Sequence, residues 1–165
     1  MTTDRPLARR RPVRKEETEA VLAACRVLVA LSAQSVAAVA NEVEVTEFRA
    51  LVVVASRGQV SLRELADATH IHLSRASRLE ERLVAKGLIN RADDPSNRRQ
   101  LMITLTPPGQ LLVRTVMRKR RAAIEPILAR MPTQRRAELA TVLQEFAAAG
   151  GEPADSDLWA LGWTS

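Results

Sequence analysis

The stretch SLRELADATHIHLSRASRLEERLVAKGLINRADDPSNRRQLMITLT, residues Ser61–Thr106, decides the fold of this chain. Ser61 and Glu64 have the spacing of a capping box, in which each side chain bonds the backbone N–H of the other residue. This pattern predicts that a helix starts at Ser61. Its apolar residues recur at three- and four-residue spacing, and the helix is expected to end near Thr69 and His70.

A second helix is predicted from Leu73 to Lys86, after a tight turn. It should end at Gly87, because glycine adopts left-handed geometry at little cost. Its inner face is apolar, with Ala76, Leu79 and Leu83. Its outer face carries Ser74, Arg75, Ser77, Arg78 and Arg82. Such side chains suit a helix that enters the major groove of DNA, since Arg can donate two hydrogen bonds to guanine. A solvated surface helix has the same composition, so this face alone leaves both interpretations open.

A β-hairpin is predicted after the second helix. Its first strand begins at Leu88 and Ile89, and apolar residues alternate along the second at Leu101, Ile103 and Leu105. The loop between them, RADDPSNRR, contains the residues that we expect at or beside DNA: Arg91, Asp94, Asn97, Arg98 and Arg99. Two helices followed by such a wing define a winged helix-turn-helix. In this arrangement Arg98 and Arg99 project toward an adjacent minor groove.

Three motifs point to one family. They are SRLEERLVAKGLI at Ser77–Ile89, DPSNRRQ at Asp94–Gln100 and ITLTPPG at Ile103–Gly109. With them, the span from Val45 to Gly109 resembles the DNA-binding core of the MarR family of bacterial transcriptional regulators. The resemblance implies that Arg98 or Arg99 contacts the minor groove while one of them pairs with Asp94. It also implies a homodimer and a small-molecule effector bound between the dimer helices and the winged domain.

Three positions depart from the usual pattern of this family. His70 stands where Gly is common, and His tolerates left-handed geometry better than most residues. His72 stands where Ser often caps the second helix, which is called the recognition helix. Asn97 stands where Asp is usual, so the wing has one fewer internal ion pair.

The expected fold is mainly α (α+β), with a winged helix-turn-helix and a helical dimerisation domain. The predicted segments are a basic arm at 1–15, an N-terminal dimerisation helix at 16–44, the winged domain at 45–106, C-terminal dimerisation helices at 107–150, and an acidic Trp-containing tail at 151–165. Within these segments, further helices are predicted at Thr46–Gly58, Thr106–Arg130 and Thr133–Gly150. Thr46 and Thr106 are the expected N-caps, and Pro126 is expected to kink its helix.

The composition indicates a globular protein with an anionic partner. The chain has 165 residues, 46% of them hydrophobic, and 25 Lys plus Arg against 19 Asp plus Glu give a formal net charge of +6. This excess favours nucleic acid or an anionic membrane surface. With two His and one Cys, the sequence offers no catalytic triad, no Gly-rich phosphate loop and no metal-ligand spacing. We therefore expect neither an enzyme nor a cofactor or metal, and a single thiol suits the cytoplasm.

One long helix is predicted from Glu16 to Asn41, and its length approaches that of a membrane span. Arg26 lies inside it, and insertion of a central Arg costs about 2.5–3.5 kcal/mol. We therefore expect no membrane insertion, and instead a helix packed between its own domain and a partner subunit. Cys25 in this helix is either a small buried hydrophobe or a thiol redox sensor.

Three other segments have roles that the sequence leaves open. The basic segment 1–15 suits an auxiliary phosphate-contacting arm, a solubilising tail, or the n-region of a targeting signal before the apolar stretch that starts at Ala20. The run RKRR at Arg118–Arg121 suits a solvated face, an intersubunit salt-bridge site or a phosphate patch. Trp159 and Trp163 in the acidic tail favour docking of that tail on the body or on the other subunit, the alternative being a disordered tail.

Together these patterns favour a sequence-specific transcriptional regulator, expected to be a repressor, that binds a pseudo-palindromic operator as a homodimer. A non-specific architectural DNA-binding protein is the second hypothesis, and an enzyme is the weakest. The sequence does not name the effector. Because only 2% of residues are aromatic, an aliphatic or amphipathic effector, or none, suits the chain as well as a phenolic one.

Overall fold

Helices dominate the computed structural model, which describes residues 12–37, 39, 42–94 and 97–152, without the side chains of 93–100. The elements in order are α1 (Lys15–Ala37), α2 (Val45–Arg57), β1 (Gln59–Ser61), α3 (Leu62–Thr69), α4 (Leu73–Ala85), β2 (Ile89–Asp94), β3 (Asn97–Leu105), α5 (Pro107–Ala129) and α6 (Thr133–Ala149). This order confirms the predicted winged helix-turn-helix between flanking helices. The first eleven residues of the basic arm and the tail from residue 153, with Trp159 and Trp163, lie outside the described residues.

The helix-turn-helix is formed by α3 and α4, and its predicted local signals are confirmed. The Ser61 backbone N–H donates to the Glu64 carboxylate at 2.7 Å, and the Glu64 N–H donates to Ser61 Oγ at 3.3 Å. His70 ends α3 in the left-handed region, with φ of 55°. His72 precedes α4 as its N-cap and makes no side-chain capping bond. Gly87 follows the end of α4 with φ of 68°.

A three-stranded antiparallel sheet in the order β1-β3-β2 forms the wing and its base. The sequence analysis missed β1, because three residues are too short to show the alternation of a strand. Val60 of β1 is fully buried and pairs with Ile103 of β3. This strand therefore joins the wing to the helical core.

Two predicted helix boundaries were wrong. The first helix ends at Ala37 rather than at Asn41. The N-cap of α2 is Glu44 rather than Thr46, because the Glu44 backbone N–H donates to the Glu47 carboxylate at 3.0 Å. Carboxylates at both positions thus form a reciprocal cap, and Thr46 lies exposed in the first turn.

Thr106 connects the recognition helix to α5. As predicted, it caps α5: its Oγ1 accepts the Gly109 N–H at 3.1 Å. The same hydroxyl donates to the Gly87 carbonyl at 2.7 Å. Gly109 packs so closely that an added Cβ would lie 2.1 Å from the Leu88 carbonyl oxygen. Thr106 and Gly109 of the ITLTPPG motif therefore hold the start of α5 closely against the segment Gly87–Leu88. Helix α5 then continues through Pro126 to Ala129, and the kink expected there stays a prediction.

Candidate nucleic-acid interface

The two faces of α4 separate as the sequence predicts. Ala76, Leu79 and Leu83 are at most 1% exposed and form part of the core. On the opposite face, Ser74, Arg75 and Arg78 are exposed. Ser77 is half-buried, and its hydroxyl lies 3.5 Å from the Glu81 carboxylate. Core packing of the inner face therefore presents the outer face to solvent.

Arg75 and Arg78 are cations of α4 without a partner among the described residues. Within the described part of the chain, neither side chain makes a hydrogen bond or an ion pair. Both border a surface depression of about 330 Å³ whose other lining residues are Glu44, Thr46, Ile71, Leu79 and Arg82. The structure thus brings three of the five predicted recognition-helix residues to one depression.

Arg82 differs from these two arginines because it has a partner inside the protein. Its Nε donates to Glu47 Oε1 at 3.0 Å, and Lys86 Nζ donates to Glu47 Oε2 at 2.6 Å. The Glu47 side chain is 1% exposed, whereas those of Arg82 and Lys86 are 52% and 37% exposed. Burial raises the pKa of Glu47, but the hydrogen bonds that it accepts outweigh burial and the net pKa is lowered. Glu47 is therefore ionised at neutral pH.

Arg91 is also paired within the chain. It lies at the base of the wing in β2, and its Nη2 donates to Glu80 Oε2 of α4 at 2.6 Å, while its Nε donates to Glu80 Oε1. The hydrogen bond to Glu80 raises the pKa of Arg91. The predicted DNA contact of Arg91 stays a prediction, and the pair links the recognition helix to the wing.

The wing itself is an antiparallel hairpin of β2 and β3. Asp94 pairs with Asn97 in the backbone register, and the ladder is irregular between Asp93 and Asp94. The side chains of Asp94, Asn97, Arg98 and Arg99 lie outside the described residues. The minor-groove contact and the ion pair to Asp94 therefore remain predictions.

Sequence reasoning missed Glu47 and Glu80, two buried carboxylates that hold α4. A signal for each is present in the sequence. Glu47 lies three residues after Glu44, the spacing of a capping box. Glu80 falls on the inner row of α4 between Ala76 and Leu83, where a surface carboxylate is not expected. Their partners could not be predicted, because they come from other elements.

The run Arg118–Arg121 was predicted to form a solvated face, an intersubunit site or a phosphate patch, and Arg120 is instead half-buried with partners inside the chain. The intersubunit and phosphate roles of the run stay predictions. Its guanidinium carbon lies 5.5 Å from the centroid of the Phe48 ring, and its Nε donates to Ser35 Oγ at 3.2 Å. Burial lowers the pKa of Arg120. Arg120 therefore connects α5 with α1 and α2, while Arg118 and Lys119 are exposed.

Helices α1 and α6 present exposed apolar side chains. In α1 only Ser35 and Val36 are buried, and α6 has no buried residue. The exposed set is Val21, Leu22, Val27, Leu28, Val29, Val142, Leu143 and Phe146. Cys25 is exposed in the single chain, and both of its predicted roles stay predictions. By length and composition α1 could also cross a membrane. In the structure, α1 packs against α5.

These features define a winged helix-turn-helix protein, and comparisons with known proteins extend the assignment. The MarR family model matches residues 43–101. The uncharacterized HTH-type transcriptional regulator YxaD of Bacillus subtilis (strain 168) is 33% identical over 89 residues, which are 54% of this chain. They are 62% of that relative, so the match spans less than two thirds of its length.

Solved structures match over most of the chain. The crystal structure of RV1404 from Mycobacterium tuberculosis is 36% identical, with a TM-score of 0.77 over 87% of this chain and 99% of that one. Bordetella bronchiseptica BpsR, whose DNA binding is regulated by 6-hydroxynicotinic acid, is 23% identical and shares the fold, with a TM-score of 0.62 over 83% of this chain and 98% of that one. The chain belongs to the MarR family.

Proposed function

We propose that this chain is a sequence-specific DNA-binding transcriptional regulator that represses its targets. The observation that carries the proposal is the pair of guanidinium groups of Arg75 and Arg78, which have no partner among the described residues and lie on the solvent face of a helix whose other face is buried in the core. A helix in this position enters the major groove, where Arg donates two hydrogen bonds to guanine O6 and N7. Ser74 and Ser77 are further candidates for base or phosphate contacts.

The proposed regulator is a cytoplasmic homodimer. Both α1 and α6 expose apolar side chains that a second copy would cover, and a single soluble chain rarely leaves so many open to solvent. A two-fold dimer presents two recognition helices to one face of the duplex. The operator is then a pseudo-palindrome whose half-sites are centred roughly one helical turn apart.

Modulation by a small molecule is part of the proposal. It is supported by the shared fold with BpsR, whose DNA binding responds to 6-hydroxynicotinic acid. Any effector shifts DNA affinity only by its differential affinity for the DNA-binding and non-binding states.

A non-specific architectural role is the second candidate, favoured by the net charge of +6. Selection of binders from a random DNA pool, followed by titration of the selected duplex against excess random DNA at fixed salt, separates the two. Specific sites are typically 10³ to 10⁷ times tighter than random sequence. Enrichment of a palindromic sequence with such a preference supports the regulator. Equal affinity for both DNAs contradicts it and favours the architectural protein.

A further inference from the structure

Glu47 combines nearly complete burial with three hydrogen bonds. Oε1 accepts from Arg82, and Oε2 accepts from Lys86 and from the Glu44 backbone N–H. The Glu44 bond belongs to the start of α2, whereas the other two donors are Arg82 in the last turn of α4 and Lys86, the C-cap of that helix. A single carboxylate therefore caps one helix and holds another.

Arg82 and Lys86 lie one turn apart on the same side of α4, where like charges repel. Glu47 approaches them from a different helix and offsets this repulsion. A buried carboxylate is costly without partners, so its two cations are held at fixed positions. Their heads stay close to α2 instead of sampling many rotamers in solvent.

Both cations keep donors for another ligand. Arg82 uses Nε for Glu47, and among the described residues its two terminal nitrogens have no protein partner. Lys86 donates one of its three ammonium N–H groups to Glu47. Since both side chains are partly exposed, they can donate to a DNA phosphate while they remain bound to Glu47.

We propose that Glu47 is a positioning residue for DNA binding, which holds Arg82 and Lys86 as a preordered phosphate clamp at the end of the recognition helix. The inference rests on the proposed function. Glu47 itself touches no DNA. Its contribution is that two long side chains are already ordered before binding, so less conformational entropy is lost when they meet a phosphate.

The ratio of the affinities for selected and random DNA distinguishes this role from a change in charge alone and from a loss of folding. Glu47→Gln removes a negative charge beside the DNA, which strengthens sequence-independent attraction. The same change releases the two cations. On the selected duplex their fixed positions set the register of α4, so binding there weakens, whereas random DNA needs only their charge. We expect the ratio of selected to random affinity to fall by about tenfold, the order expected for ordering two long side chains on binding. A folding defect alone would lower both affinities together.

The test uses the full-length protein and the duplex that the wild-type protein selects from random DNA. Glu42→Gln is the matched control, because Glu42 is exposed just before α2 and has no side-chain partner among the described residues. It removes the same charge but should leave the affinity ratio unchanged. Equal ratios for Glu47→Gln and wild type would overturn the proposal. If the wild type selects no sequence, the proposed function fails before any variant is compared.

A second variant covers the case in which Glu47→Gln does not fold. Arg82→Gln changes a half-exposed side chain, and Arg130→Gln is its control in the turn between α5 and α6. Because Arg82→Gln removes one phosphate contact, log affinity should fall less steeply with log salt, by about one unit of slope. The control should keep the wild-type slope. Identical slopes for the two variants would contradict the clamp.

Discussion

Glu80, buried on the inner face of the recognition helix, forms a two-point ion pair with Arg91 at the base of the wing. The pair joins the two parts of the proposed DNA interface. A second buried carboxylate, Glu47, joins the same helix to α2. Two buried carboxylates therefore hold α4, Glu47 against α2 and Glu80 against the wing.

Replacement of Arg91 should destabilise the fold. Arg91→Ala leaves the buried Glu80 carboxylate without its donor, and an unsatisfied buried group costs about 1–3 kcal/mol. Urea unfolding measures the change in the free energy of unfolding. Arg78→Ala serves as the control, since it removes a cation that has no partner among the described residues, and it should stay within about 0.5 kcal/mol of wild type. Equal losses in both variants would show that the Glu80–Arg91 ion pair does not contribute to the free energy of unfolding.

Gly109 should tolerate no side chain. In Gly109→Ala the new Cβ would meet the Leu88 carbonyl oxygen at 2.1 Å, so the backbone of one segment must move. We expect a loss of about 1–3 kcal/mol or more in the free energy of unfolding, the range of overpacked sites. Gly150→Ala is the control, because its nearest neighbour would lie at 3.4 Å. A stable Gly109→Ala protein would contradict the close contact.

The apolar surface of α1 and α6 should hold the dimer together. Phe146 is 57% exposed in the single chain, and Phe146→Glu would place a charge in the proposed interface. Sedimentation equilibrium should show a dimer for wild type and a shift toward monomer for the variant. Val45→Glu, at an exposed apolar position of α2, should remain dimeric. A wild-type protein that is monomeric at all concentrations would refute the dimer.

Glu47 should make stability depend on acid pH. Its pKa is lowered in the folded protein from the ordinary value of 4.5. Its stabilising contribution is therefore complete above that value and is lost as the pH falls through the lowered pKa. We expect the gap in unfolding free energy between wild type and Glu47→Gln to narrow as the pH falls from neutral through the lowered pKa of Glu47. A constant gap across that range would argue against a stabilising ionised Glu47.

Local signals explain which parts of the fold were predictable. The Ser61–Glu64 box, the left-handed His70 and the Thr106 cap each depend on residues within one turn, so the sequence displays them directly. The Glu47–Arg82 and Glu80–Arg91 pairs depend on how separate elements pack. The periodic pattern of apolar residues within one element does not indicate which residues of another element it will meet. The short strand β1 becomes a strand only because β3 lies beside it.

The most direct test of the account compares Arg75→Ala and Arg78→Ala with Arg130→Ala on the selected duplex and on versions with single base pairs changed. Loss of a bidentate Arg should cost about 1–3 kcal/mol and relax the preference at one base pair. Arg130→Ala should keep both the affinity and the preference of wild type. If all three variants bind every duplex as wild type does, α4 is not the recognition helix and the central claim is wrong.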